Sequence, residues 1–298
     1  MGSDLLPPTP VLRFAPSPNG ALHLGHAYSA LLNQQFAARL NGRLLLRIED
    51  LDRTRCKPQY EAAILDVLAW LGLRFDAAPR RQSEHGVDYA GALARLKSLG
   101  LVYPCFCSRA EVARASVARD PDGGPLYSGT CRALSADECS RRLARGEKAA
   151  WRLDTRLAIE AVPADLAWIE FGEGLSAVAR LAEPALWGDV VLGGRDLAAS
   201  YHLAVTVDDA LQGVTDVVRG RDLLAATSVH RLLQTLLDLP GPRYRHHRLV
   251  LDASGAKLSK SRSSPSLGAL RARGLSSADI RAALGFGIGK AGIAVALS

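Results

Sequence analysis

The alternation of strand-like and helical segments near the start of this 298-residue chain constrains its fold more than any other feature. The apolar run VLRFA (11–15) predicts a strand, and a helical stretch then begins at about Gly25 and stops at an Asn-Gly pair. A second apolar strand (43–50) precedes a segment with helical spacing (57–72). This alternation predicts a parallel sheet covered by helices, with ligands bound at the carboxyl ends of the strands.

The alternation is interrupted over about 101–197, where short apolar pieces, Gly and Pro predominate, and we interpret this stretch as an insertion. The segments SRAE (108–111) and SADE (135–138) predict capping boxes that open short helices. Strand-like pieces follow at 149–153, 166–171 and 188–192.

After the insertion the α/β pattern resumes. Strand-like runs at 201–209 and 214–220 are followed by a helical segment at 228–239. A loop rich in Gly, Ser and Lys (253–266) then leads to two short helical pieces that reach the terminus.

The composition is that of a globular protein rather than a disordered one, because 48% of the residues are hydrophobic and 22% are charged. No apolar run reaches the roughly 20 residues of a membrane span, and the N-terminus lacks the basic start and apolar core of a secretory signal. We therefore expect a cytoplasmic protein with no membrane partner. Lys and Arg number 37 against 30 acidic residues, and the net charge of +7 suits a polyanionic partner.

The chain has five cysteines and no export signal, which favours metal binding over a disulfide framework. Cys105 and Cys107 form a C-x-C pair, and Cys131 ends the segment YSGTC. Three thiolates from one insertion can hold zinc, which takes four tetrahedral ligands in structural sites. The alternative is that these cysteines are small buried hydrophobic residues.

The turn HLGH (23–26) has the composition of an anion-binding site. A strand that turns through small residues into a helix presents free backbone N–H groups and the positive end of the helix dipole. Gly25 lets the backbone approach a ligand closely, and His23 and His26 can donate to phosphate oxygens. Two histidines near a turn are also common as packing or surface residues, so this pattern alone leaves both interpretations open.

A lysine-containing loop, KLSKS (257–261), lies more than 230 residues further along the chain. The ammonium groups of Lys257 and Lys260 can neutralise charge on a triphosphate and on the leaving pyrophosphate. The alternative is an ordinary solvated loop.

Together, HLGH and KLSKS resemble the two signature motifs of class I aminoacyl-tRNA synthetases, and RFAPSPNG, YHLAVTVDD and VVRGRDL resemble the glutamyl branch of that family. The resemblance covers about 11–265, with the motifs in order. It implies a Rossmann-like α/β catalytic domain with a parallel sheet, an inserted zinc-bearing subdomain and a short C-terminal helical piece. It also implies an AMP-forming ligase that makes an aminoacyl-adenylate from ATP, with Mg²⁺, and passes the acyl group to a hydroxyl on tRNA.

The resemblance assigns residues to both small substrates. For ATP it implies that His23, His26 and Lys260 act on the phosphates, with Gly25 in the binding turn and Lys257 assisting.

For L-glutamate, the planar fork of an arginine suits a carboxylate, Glu49 would hold the substrate ammonium group, and Tyr201 would add a hydroxyl contact. Taken singly, each of these residues also has an ordinary explanation as an ion-pair partner, a strand end or a half-buried strand aromatic. The residues that the resemblance places in the glutamate site are Arg13, Ala15, Ser17, Glu49, Tyr201 and Arg219.

The cysteine spacing is similar to that of the zinc-bearing insertion of the family. There the resemblance implies one structural zinc ion held by Cys105, Cys107, Tyr127 and Cys131. Phenolate is an uncommon zinc ligand, so Cys139, a nearby histidine or water remain alternatives to the tyrosine. Cys56 is assigned no role.

Only 37 residues follow the KLSKS loop, too few for an anticodon-binding domain. This shortness resembles a branch in which glutamate is joined to queuosine in the anticodon loop of tRNA(Asp), and not to the 3′ end. The expected partners are therefore L-glutamate, ATP and queuosine-containing tRNA(Asp), and we expect a monomer.

Three other functions remain open from the sequence. One is a short enzyme that charges the 3′ end of tRNA(Glu), and a second is a small-molecule nucleotidyltransferase or ligase of the same superfamily. The third is an RNA-binding protein without catalysis.

The expected organisation has four parts. They are the first half of the catalytic domain (1–100), the inserted subdomain (101–197), the second half of the catalytic domain (198–255), and the KLSKS loop with a C-terminal helical piece (256–298).

Overall fold

The computed structural model describes residues 9–172, 175–195, 197–251, 265–287 and 296–297. The chain divides into two compact units. The first comprises Met1–Ser83, Gly213–Arg221 and Tyr244–Ser298, and the second comprises Glu84–Gln212 and Asp222–Arg243.

The first unit is built on strands and helices that alternate along the chain. Its strands are β1 (Val11–Phe14), β2 (Arg43–Ile48), β3 (Arg80–Arg81), β9 (Asp216–Gly220), β10 (Arg243–His247, in this unit from Tyr244), β11 (Val250–Leu251) and β12 (Ala296–Leu297). Its helices are α1 (Leu24–Arg39), α2 (Pro58–Trp70), α9 (Leu267–Ala272) and α10 (Ser277–Ala283).

Five strands of the first unit are neighbours in the order β3-β2-β1-β9-β10. Strand β1 pairs in parallel with β2 and with β9, and β2 pairs in parallel with β3. The register aligns Phe14 with Leu46 and Leu12 with Asp216. The carboxyl ends of these parallel strands therefore lie at one edge of the sheet, and the prediction of an α/β fold with a mostly parallel sheet is confirmed.

Helix α1 covers this sheet and packs on β1, β2 and β9. It buries Leu31 and Phe36, and the side-chain amide of the fully buried Asn33 donates to the Val218 carbonyl of β9 at 3.0 Å. At the turn into β2, a Cβ on Gly42 would lie 2.6 Å from the Pro10 carbonyl oxygen. Only glycine fits there, and Asn41, with a φ of 50°, turns the chain after the helix ends at Arg39.

The second unit holds shorter elements. Its strands are β4 (Val102–Cys105), β5 (Ala150–Leu153), β6 (Ala167–Phe171), β7 (Ala177–Leu181) and β8 (Val191–Gly194). Its helices are α3 (Gly86–Ser98), α4 (Arg109–Ala115), α5 (Ala136–Ala144), α6 (Thr155–Glu160), α7 (Tyr201–Leu211) and α8 (Thr227–Leu236).

Antiparallel pairing characterises the sheets of the second unit. Strands β4, β5 and β8 form a three-stranded antiparallel sheet, and β6 and β7 form an antiparallel pair. Helix α7 packs on α3 and α8. Between α3 and α7, the buried Tyr89 hydroxyl donates to the fully buried Asp208 carboxylate at 2.9 and 3.0 Å from its two oxygens. This bond compensates the burial of the carboxylate.

One predicted strand is wrong. The run 201–209 belongs to helix α7, which begins at Tyr201 after Ser200 caps it by accepting from the Leu203 N–H. Residues 203–209 are all buried, so the apolar run shows no one-sided helical period. A short apolar run of this kind cannot be assigned to a strand or a buried helix from periodicity alone.

The remaining predicted elements are largely confirmed. The capping box at 108–111 is complete, because Ser108 Oγ accepts from the Glu111 N–H at 3.2 Å and the Glu111 carboxylate accepts from the Ser108 N–H at 2.7 Å. Ser135 caps α5 through the Glu138 N–H at 3.2 Å. The strand predicted at 188–192 starts later, at Val191, since Gly188 has a φ of 55° and ends a 3₁₀ turn.

No helix in the described part of the chain is long and apolar enough to cross a membrane.

Candidate active site and thiolate cluster

The turn HLGH forms the start of helix α1 in the first unit. His23 is the N-cap residue, and its Nδ1 accepts from the Gly25 N–H at 3.1 Å. His26 Nδ1 in turn accepts from the His23 N–H at 3.2 Å, and the two rings lie 3.9 Å apart. The histidines therefore hold the turn that sequence reasoning assigned to anion binding.

These bonds decide how each imidazole carries its proton. Because Nδ1 is the acceptor in both rings, the proton of the neutral ring is on Nε2. His23 and His26 can thus donate from Nε2 without a positive charge. The first turn of α1 carries no acidic residue that would repel an anion.

Gly25 is required by its contact with His23. A Cβ at this position would lie 3.0 Å from His23 Cε1 and 3.1 Å from His23 Nδ1. A larger residue would therefore force the imidazole to shift by a few tenths of an ångström and strain the cap. The glycine that sequence analysis linked to ligand approach also positions a neighbouring side chain.

Three candidate glutamate-binding residues lie on the parallel strands. Arg13 is in β1 and Arg219 is near the end of β9, and they are only 4% and 5% exposed. Glu49 directly follows β2, and its N–H donates to the Pro16 carbonyl at 3.0 Å. The fold thus brings two arginines and a carboxylate to three adjacent strands.

The other two predicted contacts follow β1. Ala15 directly follows Phe14, the last residue of β1. Ser17 is next to Pro16, whose carbonyl accepts from the Glu49 N–H at 3.0 Å, so this segment runs beside Glu49. Ala15 and Ser17 are both half-buried.

The acidic member of this group has its own cationic partner. The fully buried Arg47 of β2 donates to the Glu49 carboxylate at 3.4 Å. The Cys56 thiol donates to the Glu49 carbonyl at 3.8 Å. The Glu49 side chain is 11% exposed, so it remains accessible to a small ligand.

Arg219 contacts two residues of β10. Its Nε–H donates to His246 Nε2 at 3.2 Å, and its guanidinium carbon lies 5.3 Å from the centroid of the Tyr244 ring. The Tyr244 and His246 rings are parallel within 2°, with centroids 5.9 Å apart. The orientation of this arginine is therefore set by the neighbouring strand.

Tyr201 belongs to the second unit, where it is the first residue of α7. Its ring lies 5.6 Å from the His202 ring and 5.7 Å from the His230 ring. The two histidines are bonded to each other, with 3.2 Å between His202 Nδ1 and His230 Nε2. Lys257 and Lys260, the predicted phosphate contacts of the KLSKS loop, lie outside the described residues.

The cysteines of the insertion form a compact cluster in the second unit. The ligand atoms of Cys105, Cys107 and Cys131 all lie within 4.8 Å of one another. The Sγ atoms of Cys107 and Cys131 are 3.4 Å apart. The hydroxyl oxygen of Tyr127 lies 3.4 Å from Cys105 Sγ and 3.7 Å from Cys107 Sγ. The sequence-predicted set of three thiols and one phenol is thus brought together.

This arrangement fits a metal ion. Four sulfur ligands at about 2.3 Å from a tetrahedral zinc ion lie about 3.8 Å apart, which is close to the observed spacing. The guanidinium carbon of Arg152 lies 3.9 Å from the centroid of the Tyr127 ring and can stabilise a phenolate. No other group of three or more His, Cys, Asp or Glu residues with this proximity occurs in the described part of the chain.

Burial controls the ionisation of the cluster. Desolvation, together with a hydrogen bond to Cys131, raises the pKa of Cys107 to about 11. Desolvation also raises the pKa of Tyr127, with a further contribution from its bond to Cys105. At Cys131, burial acts to raise the pKa, but bonds from Tyr127 and from the Phe106 N–H outweigh it and lower the pKa. Because the thiolate is the form that binds a cation, the lowered pKa favours metal binding at Cys131.

Two residues of the strand-end group were missed by sequence reasoning. Arg47 interrupts the apolar run of β2, and this is the one signal in the sequence that could have identified it. His246 lies 27 residues from Arg219 in an Arg- and His-rich segment, and only the pairing of β9 and β10 brings it to the arginine.

Comparison with a model of the tRNA synthetases class I (E and Q), catalytic domain, gives a match over residues 11–293. A protein named glutamyl-Q tRNA(Asp) synthetase from Rhodobacter capsulatus is 44% identical over 92% of this chain and 99% of the relative. A protein named glutamate–tRNA ligase 2 from Nitrosococcus oceani is 39% identical over 88% of this chain and 56% of the relative.

A solved structure gives the same family. The glutamate tRNA ligase from Elizabethkingia meningosepticum, in complex with its amino acid, superposes with a TM-score of 0.68 and 29% identity. The match covers 85% of this chain and 52% of that protein. The chain therefore spans about half of each of these two ligases and nearly all of the Rhodobacter protein.

Proposed function

The chain belongs to the class I tRNA synthetases (E and Q), and on that premise we propose that it activates L-glutamate with ATP and transfers the glutamyl group to queuosine in the anticodon loop of tRNA(Asp). The observation that carries this proposal is the 44% identity over 99% of a protein named glutamyl-Q tRNA(Asp) synthetase.

The charges at the strand ends suit glutamate as the amino acid. Free glutamate has two carboxylates and one ammonium group, and the site offers two buried arginines, Arg13 and Arg219, with the carboxylate of Glu49. Each guanidinium can bind one carboxylate through paired N–H donors, and Glu49 can accept from the ammonium group. Ala15 and Ser17 line the same strand ends, and the family resemblance adds Tyr201.

In the activation step, an oxygen of the substrate α-carboxylate attacks the α-phosphorus of ATP. The new bond is carboxyl oxygen to phosphorus, and the bond between the α-phosphorus and the bridging oxygen of pyrophosphate breaks. His23 and His26 donate to phosphate oxygens from Nε2 at the start of α1, where Gly25 leaves room for close approach. We assign Lys260, with Lys257 assisting, to the charge that develops on pyrophosphate.

In the transfer step, a hydroxyl of the queuosine cyclopentenediol attacks the glutamyl carbonyl of the adenylate. An ester bond forms, AMP leaves, and the hydroxyl proton is released. No protein nucleophile is needed, so this chain contributes orientation and charge stabilisation. Mg²⁺ bound with ATP supplies further neutralisation of the phosphates.

The thiolate cluster is proposed as a structural zinc site. Cys105, Cys107 and Cys131 would hold the ion, with Tyr127 as fourth ligand. Cys105 at the end of β4 and Cys131 in its turn would then be cross-linked, which would stabilise the insertion.

The proposed substrates are ATP, L-glutamate and tRNA(Asp) that carries queuosine, and the enzyme is proposed to be a monomer. The four-part organisation at 1–100, 101–197, 198–255 and 256–298 belongs to the same proposal. Charging the 3′ end of tRNA(Glu) is the second candidate, because the Nitrosococcus relative is named a glutamate–tRNA ligase.

Two assays test the proposal. The first is glutamate-dependent exchange of pyrophosphate into ATP, with and without tRNA, and with glutamine and aspartate as controls. Exchange that requires glutamate supports the activation step, and absence of exchange under all conditions contradicts it.

The second assay maps labelled glutamate on tRNA(Asp) that carries queuosine and on tRNA(Glu), each after nuclease cleavage. Label on the anticodon fragment of tRNA(Asp) supports transfer to queuosine. Label on the 3′-terminal adenosine of tRNA(Glu) alone contradicts it and identifies the second candidate.

A further inference from the structure

The inference concerns His246, a half-buried residue of β10 to which neither the sequence motifs nor the family match assigns a role. Its Nε2 accepts the Nε–H of Arg219 at 3.2 Å. Arg219 is 5% exposed and is one of the two arginines proposed for the glutamate carboxylates. Strands β9 and β10 are neighbours in the sheet of the first unit, so the pair is part of the regular strand arrangement.

The direction of this bond is fixed by chemistry. A guanidinium has only donors and stays protonated, so the histidine must be the acceptor. His246 therefore has a lone pair on Nε2 and, in the neutral ring, its proton on Nδ1. A side chain without an acceptor at this point would leave the Nε–H of a buried cation without this bond.

Tyr244 provides a second contact from the same face of β10. Residues 244 and 246 are two positions apart and therefore point to the same side of the strand. The Tyr244 ring is 1% exposed and lies 5.3 Å from the guanidinium carbon of Arg219. The Tyr244 ring limits the tilt of the Arg219 guanidinium plane. The hydrogen bond to His246 limits the rotation of the guanidinium within that plane.

We propose that His246 is a positioning residue that fixes the guanidinium of Arg219 for the carboxylate of glutamate. A carboxylate can approach an arginine along the edge that contains Nε or along the terminal edge formed by the two Nη atoms. The bond to His246 occupies the first edge and directs the carboxylate to the terminal edge. This inference rests on the proposed function, because it names how that same site selects its amino acid.

The test is steady-state kinetics of glutamate-dependent pyrophosphate exchange with His246→Leu and His246→Gln. Leucine removes the acceptor, whereas the amide oxygen of glutamine can still accept from Arg219. We expect His246→Leu to raise the KM for glutamate by about tenfold or more, as for loss of a hydrogen bond to a charged group, with little change in kcat or in the KM for ATP. His246→Gln should retain a KM within about threefold of the parent protein.

A double-mutant cycle with Arg219→Lys measures whether the effect of His246→Leu on the KM for glutamate depends on Arg219. A histidine that only stabilised the fold would show no such dependence. Lysine has no Nε–H donor in this geometry, so adding His246→Leu to Arg219→Lys should change the KM for glutamate by less than about twofold. His85→Leu, a histidine of the second unit, serves as a control that should behave like the parent protein. Should His246→Leu fail to fold, as judged by thermal unfolding, His246→Met replaces it.

The inference is overturned if leucine and glutamine raise the KM for glutamate equally, if the KM for ATP rises in parallel, or if His246→Leu has no effect. It is also overturned if the effects of His246→Leu and Arg219→Lys are additive. A parent protein that shows no glutamate-dependent exchange would instead contradict the proposed function, so the two failures are distinguishable.

Discussion

The strand-end site of the first unit and the thiolate cluster of the second unit are held together in different ways. At the strand ends, the candidate residues are fixed by the backbone of a parallel sheet and by the first turn of a 16-residue helix. In the cluster, Cys105 and Cys107 meet Tyr127 and Cys131 across about 20 residues of loop and short helix. The first arrangement rests on backbone pairing, whereas the second brings three thiols and a phenol into a small volume, with raised pKa values for Cys107 and Tyr127 and a lowered pKa for Cys131.

The two regions obtain their stability from different sources. The sheet and α1 bury a continuous apolar core that includes Leu12, Leu31 and Phe36. Around the cluster the buried set is small, with Cys105, Tyr127 and Cys131 at its centre. We therefore expect a metal ion to contribute to the stability of the insertion and not to that of the first unit.

The largest expected effect comes from removing a cluster thiol. Cys105→Ser should reduce the metal content from one ion per chain to near zero, because a structural zinc ion contributes about 10–16 kcal/mol through its full ligand set. Hydrogen exchange should then become faster in β4 and in the turn at 130–133, while the amides of α1 and β1 stay protected. Metal analysis combined with exchange mass spectrometry measures both results.

Two further variants identify the fourth ligand. Tyr127→Phe should weaken metal binding, whereas Cys139→Ser should leave it unchanged. The reverse result would assign the fourth position to Cys139. Full metal content in Cys105→Ser would mean that the cluster is only a group of packed thiols.

The next largest effect is the pH dependence of the cluster. Because burial raises the pKa of Cys107 to about 11, this thiol is protonated at neutral pH in the metal-free protein and must release its proton to bind zinc. The apparent affinity should therefore rise with pH by about tenfold per unit for each proton released, and fall on acidification. Competition with a chelator at several pH values measures the slope. An apparent metal affinity that does not change between about pH 6 and 8 would contradict binding by thiolates, because no proton would then be released.

A smaller effect is expected at the strand-end site from Arg13→Lys. Lysine keeps the charge but loses the planar fork, so the KM for glutamate should rise about 10- to 100-fold with the fold intact. Pyrophosphate exchange and thermal unfolding measure the two quantities. Arg43→Lys, at the exposed start of β2, is the matched control and should have no effect on the KM. Equal effects of the two substitutions would remove Arg13 from the site.

The smallest expected effects are the changes in stability caused by two glycine substitutions. Gly25→Ala should shift the His23 ring by a few tenths of an ångström, since the added Cβ lies 3.0 Å from it, and the strained cap should offset the roughly 0.5–1 kcal/mol that alanine otherwise adds inside a helix. The KM for ATP should rise with it. Gly91→Ala, in α3, meets nothing within 4 Å and should stabilise the protein by roughly 0.5–1 kcal/mol. Denaturant unfolding compares them, and equal effects would mean that the contact with His23 has no consequence.

The sequence predicts the first unit better than the second. The pattern at 11–72 identifies β1, α1, β2 and α2 because strands and helices alternate there with clear stop signals. The spacing of Cys105, Cys107 and Cys131 correctly predicts that these residues cluster. In the second unit, the pattern wrongly predicts a strand where α7 lies, because residues 203–209 are all buried and show no helical period.

The supporting residues of the site could not be predicted because they depend on pairing between distant segments. His246 contacts Arg219 only through the adjacency of β9 and β10, and the bond between Arg47 and Glu49 depends on where each side chain turns after β2. The capping role of His23 and His26 was also missed, since a histidine N-cap is not among the usual capping residues. The roles of the individual site residues, and those of Lys257 and Lys260, stay predictions.

Transfer of labelled glutamate, with ATP, to two tRNA pools from cells that differ only in their ability to make queuosine tests most directly whether queuosine is the acceptor. We expect label on the queuosine-containing pool alone. Equal label on both pools would contradict it and show that the acceptor is not the modified base.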